Sequence, residues 1–307
     1  MSVIGIDTSN YTTSIAFFDV KTGENCSRLL PVKQGELGLR QSDAVFAHIK
    51  SLPELCGRLF SHIQKETITA VGVSTRPRAV EGSYMPCFMV GYSHAKMLSD
   101  ALSVPLVEVS HQQGHVAASL WSAGELELMD QPHLAWHLSG GTTELLLVEP
   151  DGKNVMCTKI GGSTDISAGQ LIDRTGQLLQ LPFPSGKHLD ALSKEAVLKE
   201  TFKVKCSNME FSLSGVQNKV QQFHAVHQSS EETAAYALRC VSKAVYLATE
   251  QALKAYPGLR VVFSGGVASN SMLRELTAPL KPVYSQPQFS TDNAMGVAVL
   301  AHRLTGE

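Results

Sequence analysis

Two histidines at a helical spacing, His111 and His115 in His111-Gln112-Gln113-Gly114-His115, are the residues whose types best suit a metal ion. On a helix, positions i and i+4 share a face, so one cation would be within reach of both imidazoles. The bland alternative is a helix that carries two of the chain's 11 histidines. Gln112 stands where an HExxH site has its glutamate base. A water-activating zinc protease is therefore disfavoured, and an ion that binds phosphate or polarises a carbonyl is favoured. Asp292, in Ser290-Thr291-Asp292-Asn293, is the candidate third ligand. Two imidazoles and a carboxylate hold a divalent metal with open positions. As an alternative, Asp292 caps the last predicted helix.

Two glycine turns offer a second kind of chemistry. Leu138-Ser139-Gly140-Gly141-Thr142-Thr143 follows an apolar strand. Paired glycines let backbone N–H groups approach an anion, and the hydroxyls add donors. The same residues also suit a plain hairpin turn. Ser264-Gly265-Gly266, followed by Asn270, repeats the device at a strand-to-helix junction, where a helix N-terminus favours negative charge. Asn270 is also a candidate N-cap. Neither turn is a Walker P-loop or a GxGxxG fingerprint. Asp165, Asp173 and Asp190 are more ambiguous candidates, since carboxylates on amphipathic helices are usually solvated.

The elements that must position these residues alternate between strands and helices. Strands are predicted over 3–6 and 13–18 around the polar turn Asp7-Thr8-Ser9-Asn10-Tyr11-Thr12, with a third near 26–31. A helix over 43–64 follows, capped by Ser42 or Asp43, with Val45, Ile49, Leu52 and Leu55 on one face. Then come a strand over 68–74, a helix over 90–102 and a strand over 106–109. The second half opens with strands over 134–138 and 144–149. Helices follow over 167–179, 187–198, 214–226 and 231–255. A strand over 260–263 leads to a helix ending near 280, and the last helix runs over 293–304. Each half thus begins with a hairpin and a polar turn. That duplication suggests an α/β fold of the actin/hexokinase/Hsp70 type, with two domains around a nucleotide cleft. The expected domains are 1–112 with 287–307, and 113–286, the chain crossing back through the proline-rich stretch 279–287.

Composition narrows the classes. The 307 residues are 43% hydrophobic and 18% charged, enough apolar residue for sizeable cores. Lys and Arg number 26 against 28 acids, which excludes a strongly basic, non-specific nucleic-acid binder. Local basic groups remain: Arg76 and Arg78, and the stretch 187–219 with six lysines against four acids, are candidate phosphate contacts. The six cysteines are scattered without a CxxC pair, as in a reduced protein. No Lys or Arg precedes Lys21, against a secretory signal, and no apolar run reaches membrane-span length. The expectation is a cytoplasmic protein.

Read together, these segments resemble the TsaD family of tRNA threonylcarbamoyladenosine synthases, formerly called glycoproteases. The likeness runs in order through Ile4-Gly5-Ile6-Asp7-Thr8-Ser9, the histidine pair, Ser139-Gly140-Gly141, Asp165-Ile166-Ser167-Ala168-Gly169 and Asp173. It continues through Pro184-Ser185-Gly186, Phe211-Ser212-Leu213-Ser214-Gly215, Gly265-Gly266-Val267-Ala268-Ser269-Asn270 and Thr291-Asp292-Asn293-Ala294. The resemblance implies an actin-like fold. It also implies one divalent metal, iron or zinc with magnesium as a further candidate, held by His111, His115 and Asp292. ATP or an adenylate would be bound by Leu138, Ser139, Gly140, Gly141, Thr142, Asp173, Gly186, Asp190 and Asn270. The implied reaction moves a threonylcarbamoyl group to N6 of a tRNA adenosine, with TsaB-like and TsaE-like protein partners and no membrane.

Departures from the family pattern are equally specific. Its first turn usually reads Cys, two acids and Thr, where this chain has Asn10-Tyr11-Thr12-Thr13, leaving Asp7 and Ser9 as catalytic candidates. The usual Gly-Pro-Gly is Arg76-Pro77-Arg78, and Pro-Gly-Gly is Pro184-Ser185-Gly186. His137 stands where one branch has a tyrosine near the metal, so it is either a fourth ligand or a hydrogen-bonded histidine. Strand alternation sets His133, Ala135 and His137 opposite Leu134, Trp136 and Leu138. The chain thus reads as a diverged paralog. A non-catalytic, nucleotide-binding assembly or regulatory subunit, and an ATPase that relies on Asp7, are the alternatives.

Overall fold

The computed structural model describes residues 2–9, 11–20, 22–31, 39–196, 203–290 and 294–306. The chain opens as a meander of β1 (Ser2–Thr8), β2 (Thr12–Asp19) and β3 (Gly23–Leu29), followed by α1 (Gln41–Phe60). Next come β4 (Ile68–Arg76), α2 (Phe88–Leu102), β5 (Leu106–Ser110) and α3 (His111–Ala123). A second meander of β6 (His133–Leu138), β7 (Thr143–Asp151) and β8 (Asn154–Ser163) leads to α4 (Ala168–Leu178) and α5 (Gly186–Ser193). After β9 (Glu210–Phe211), α6 (Ser214–His227) and the long α7 (Ser230–Ala255) come β10 (Val261–Ser264), α8 (Ser271–Thr277), β11 (Val283–Tyr284) and α9 (Met295–Thr305).

The two sheets repeat one topology. In the first the order is β3-β2-β1-β4-β5; in the second, β11-β10-β6-β7-β8-β9, so that β8-β7-β6-β10-β11 reproduces the first. In each, an antiparallel pair (β1 with β2, β6 with β7) is continued by parallel strands (β4 and β5; β10 and β11). The chain divides into two compact units. One is Met1–Gln131, Glu149–Cys157 and Thr291–Glu307; the other is Pro132–Val148 and Thr158–Ser290. These divisions differ from the expected 112/113 and 286/287. The reason lies in α3, a single helix whose Gly114 lies against Gly296 of α9, where a Cβ on Gly296 would overlap the Gly114 carbonyl oxygen. Only hydrogen fits there, and the contact keeps α3 and α9 together.

In the first unit, Ile4, Ile6, Ile15, Val71 and Val73 pack with Leu52, Leu55 and Leu59 of α1. On the other side of the sheet α9 lies so close that a Cβ on Gly5 would meet Ala294 O at 2.5 Å, and one on Gly72 would meet Ala301 Cβ at 2.7 Å. In the second unit, Leu134, Trp136, Leu138, Leu145 and Phe263 pack against Ala237, Val241, Ala244 and Ala248 of α7. Burying apolar surface at about 25 cal/mol per Å² is what holds each layer on its sheet.

Several predicted elements differ. The N-cap of α1 is Arg40, without a side-chain cap bond, so Ser42 and Asp43 lie inside the first turn. Its buried face is Ala44, His48, Ser51, Leu52, Leu55 and Leu59, while Ile49 is 50% exposed. Buried hydrogen bonds of His48, described below, set that rotation where apolar pattern alone set another. The helix predicted over 187–198 ends at Ser193, and residues 197–202 lie outside the described ones. Strand β8 has no counterpart among the predicted elements, because its Gly161-Gly162 reads as a breaker; β9 and β11, of two residues each, are too short for a period. Among the described residues, no helix is long and apolar enough to cross a membrane.

Candidate functional site

In the first unit the candidate residues gather where β1 ends and α3 begins. Asp7, the sixth residue of β1, is fully buried. Its Oδ1 accepts hydrogen bonds from the Ser74 hydroxyl of β4 and from His111 Nδ1, the latter at 2.9 Å. Its Oδ2 is buried with no hydrogen-bond partner among the described residues. Ser110 and Gln113 cap α3 reciprocally, which makes His111 the first residue of the helix. One turn later, His115 points Nε2 to within 2.9 Å of His111 Nε2, the rings edge to face at 4.3 Å. Because Asp7 can only accept, His111 carries its proton on Nδ1 and turns the Nε2 lone pair toward His115. The two Nε2 atoms share one hydrogen bond, and such a pair, one ring backed by a carboxylate, could supply two donors to a metal in place of that bond. This pair fits a borderline cation such as zinc or iron better than magnesium, which prefers oxygen.

Asp292 and Asn10 lie outside the described residues. Among the described residues no group of three His, Cys, Asp or Glu could hold a metal, so two of the three expected ligands are seen together. The rest of the first turn is held from α1. His48, which no sequence motif singles out, is fully buried, with Nε2 on the Ser9 carbonyl at 2.8 Å and Nδ1 on the Thr13 hydroxyl at 2.8 Å. Burial pushes its pKa down, against the opposing pull of the Ser9 bond and Asp7, so the ring is neutral: Nε2–H donates to Ser9 and Nδ1 accepts from Thr13. Ser9 itself is buried. Thr8 ties β1 to α2 by donating to the Cys87 carbonyl and accepting from the Gly91 amide, each at 3.0 Å.

In the second unit the nucleotide candidates form a ring of contacts. The turn after β6 is closed by Ser139 N donating to Thr142 O at 2.8 Å and by Thr142 N donating to Ser139 Oγ at 3.1 Å. The start of α4 presses on it: Ser167 donates to Gly140 O at 2.5 Å, and a Cβ on Gly169 would meet Ser139 O at 2.5 Å. The outer side of Gly140 and Gly141 is open, nothing standing within 4 Å of an added Cβ. Further along α4, Asp173 accepts from the Ser185 amide at 2.9 Å, beside Gly186 at the start of α5. Burial raises the Asp173 pKa more than that bond lowers it. Asp190 of α5 accepts from the Asn270 side-chain amide at 2.7 Å and from the Ser271 amide and hydroxyl at 2.9 and 2.8 Å. Burial would raise its pKa, but the Ser271 bonds and Lys194 hold it below the usual range.

Asn270 Oδ1 accepts from Leu273 N at 3.0 Å, capping α8 as its alternative reading expected. The ring closes where Gly265, at φ +91°, crosses Leu138: a Cβ there would overlap the Leu138 carbonyl oxygen. Since β6 and β10 are parallel, both glycine turns lie at the same end of these strands. His137 is half-buried in the same strand, in register with Glu144 on one side and Ser264 on the other. Leu134, Trp136 and Leu138 face the core, as alternation predicted.

Asp165, in the segment before α4, is exposed as a solvated carboxylate would be, yet it is held by several hydrogen bonds. It accepts from the Ser212 and Ser214 hydroxyls at 2.5 Å each and from the Leu213 amide at 2.8 Å. Burial raises its pKa, but these bonds together outweigh it and hold the carboxyl far below the usual range. The segment before α4 is thereby pinned to the start of α6.

Comparison with known proteins bears on the family and the fold. A family model described as TsaD, tRNA N6-adenosine threonylcarbamoyltransferase, matches residues 35–299. The tRNA N6-adenosine threonylcarbamoyltransferase of Carboxydothermus hydrogenoformans is 31% identical over 98% of this chain and 91% of its own length. That of Thermosipho africanus is 30% identical over 99% and 94%. Among solved structures, full-length HypF in its phosphate- and nucleotide-bound form superimposes with TM-score 0.62 at 14% identity, over all of this chain and 56% of its own. A ROK family glucokinase from Streptomyces griseus gives 0.55 at 10% identity, over 99% and 100%. These structures share the fold alone, which is the actin/hexokinase/Hsp70-type α/β duplication. With the motifs in order and the match extending over nearly its whole length, this chain belongs to the TsaD family.

Proposed function

We propose that this protein transfers a threonylcarbamoyl group from an adenylate to N6 of a tRNA adenosine. The family match over residues 35–299 carries the reading. In the transfer a bond forms between the adenosine nitrogen and the carbamoyl carbon, the carbon–oxygen bond to phosphate breaks, AMP leaves, and the nitrogen gives up one proton to solvent. His111, His115 and Asp292 would hold a divalent metal, iron or zinc, which when bound polarises the carbonyl under attack. Asp7 is fully buried, so it acts through His111, favouring the tautomer that puts the ring's lone pair on Nε2. His48 holds the Ser9 carbonyl and so the turn beside it. In the second unit, backbone N–H groups of the open Gly140-Gly141 turn would receive phosphate, and Asp173, Gly186, Asp190 and Asn270 would shape the adenosine site. TsaB-like and TsaE-like proteins and tRNA are the proposed partners.

A second reading, a nucleotide-binding assembly subunit without transfer, is favoured by one observation: Tyr11 and Thr12 stand where the family pattern has acids. Complementation of a TsaD-depleted bacterium, followed by nucleoside analysis, separates the two. Restored modified adenosine supports transfer; its absence in every partner combination supports the assembly role.

A further inference from the structure

Where β4 ends, the chain departs from the family pattern toward positive charge. Arg76 is in register with Ser110, the residue before His111. The loop that follows is tied to α3 by Gln112 N donating to Pro77 O at 3.0 Å. It is braced internally by Arg78 N donating to Ser83 Oγ at 2.9 Å and Ser83 N donating to Val80 O at 3.2 Å. Its far end is anchored where Thr8 donates to Cys87 O. On this fixed frame Arg76 and Arg78 are exposed, and Tyr84 leaves 63% of its surface in solvent. Residues 76–87 contain one carboxylate, Glu81. Because β1 and β4 are parallel neighbours, this loop and the first turn, which lacks the two acids of the family pattern, follow the same end of these strands.

Two arginines and an exposed aromatic ring on a braced loop match a nucleic-acid strand with unpaired bases. Arg76 and Arg78 flank Pro77 on this loop, two cations for the phosphates of a strand. A planar guanidinium suits phosphate oxygens, and a phenol ring offers a base a stacking platform. A free nucleotide would not use all three groups.

We propose that residues 76–84 form an RNA-contact surface beside His111, in which Arg76 and Arg78 take successive backbone phosphates and Tyr84 stacks on an unpaired base. The proposal deepens the tRNA-transferase reading and rests on it. The test is fluorescence anisotropy with a labelled RNA hairpin carrying an open loop, titrated between 50 and 200 mM salt, using wild type, Arg76→Gln/Arg78→Gln and Tyr84→Ala. The arginine double variant is expected to bind about tenfold more weakly, and its salt slope to fall by about 1.4. Tyr84→Ala is expected to bind at least about fivefold more weakly with an unchanged slope. Wild-type affinity and slope in both variants would overturn the proposal, as would ATP competing as well as unlabelled RNA at equal phosphate. Transfer measured on the same preparations keeps the two claims apart. Transfer with unaltered RNA binding in the variants removes the surface and leaves the activity; weakened binding without transfer in wild type leaves the surface and removes the activity.

Discussion

Asp7 and His111 are 104 residues apart in sequence and 2.9 Å apart in the fold. The contact joins the buried end of the first strand to the first residue of α3, and it decides which imidazole nitrogen faces His115. An amide in place of the carboxylate offers a weaker acceptor and can present its NH2 to the ring. Asp7→Asn is therefore expected to lower metal affinity about 10- to 100-fold while the fold persists. Metal content after dialysis against a chelator, read beside the melting temperature, checks this; unchanged retention would refute the positioning role.

His48 links α1 to both sides of the first turn. Replacing it with Leu leaves the Ser9 carbonyl and the Thr13 hydroxyl buried without these partners, at a cost of about 1–3 kcal/mol each. Its folded pKa is depressed, so the unfolded chain binds this proton more readily. The stabilising contribution is whole above the unfolded value, about 6.5, and is lost as pH falls through that value toward the folded one. Chemical denaturation of wild type and His48→Gln between pH 5 and 8 is expected to show this dependence only in the wild type.

Gly296 and Gly114 let α9 and α3 meet backbone to backbone. A methyl group at 296 has no rotamer by which to escape the Gly114 carbonyl, so Gly296→Ala should cost about 3 kcal/mol or more. Because α3 carries both histidines, metal retention should fall with the melting temperature. A variant that melts like wild type would show that the helices separate at little cost.

Asp165 pins Ser212 and Ser214 with its charged form. Its folded pKa is lowered, so its stabilising effect is present above the unfolded value, about 3.9, and fades as pH falls below it. Asp165→Asn should lower stability at pH 7 and flatten the acid limb below pH 4; identical acid limbs would exclude the ion as the source of the pinning.

Much of this was legible in the sequence, for identifiable reasons. The paired hairpins, the helices of both units and the core face of β6 followed from two- and 3.6-residue periods. That the two histidines share a helix face followed from local spacing, and their Nε2 atoms meet at 2.9 Å. What periodicity could not carry was any relation made by the sheet: Asp7 with His111 and Asp190 with Asn270 are brought together by strand order and helix packing. His48 was hidden because a histidine on an apolar helix face carries no local sign of its partners. The hydrogen bonds of the exposed Asp165 were hidden because its donors lie 47 to 49 residues downstream.

Transfer itself is the claim on which the rest depends. Purified protein with its TsaB-like and TsaE-like partners should be incubated with threonylcarbamoyl-adenylate and unmodified tRNA, and the tRNA then digested to nucleosides for mass spectrometry. N6-threonylcarbamoyladenosine formed by wild type, and lost in His111→Ala, is the predicted result. Unmodified adenosine in every partner combination, from folded and metal-loaded protein, would contradict it.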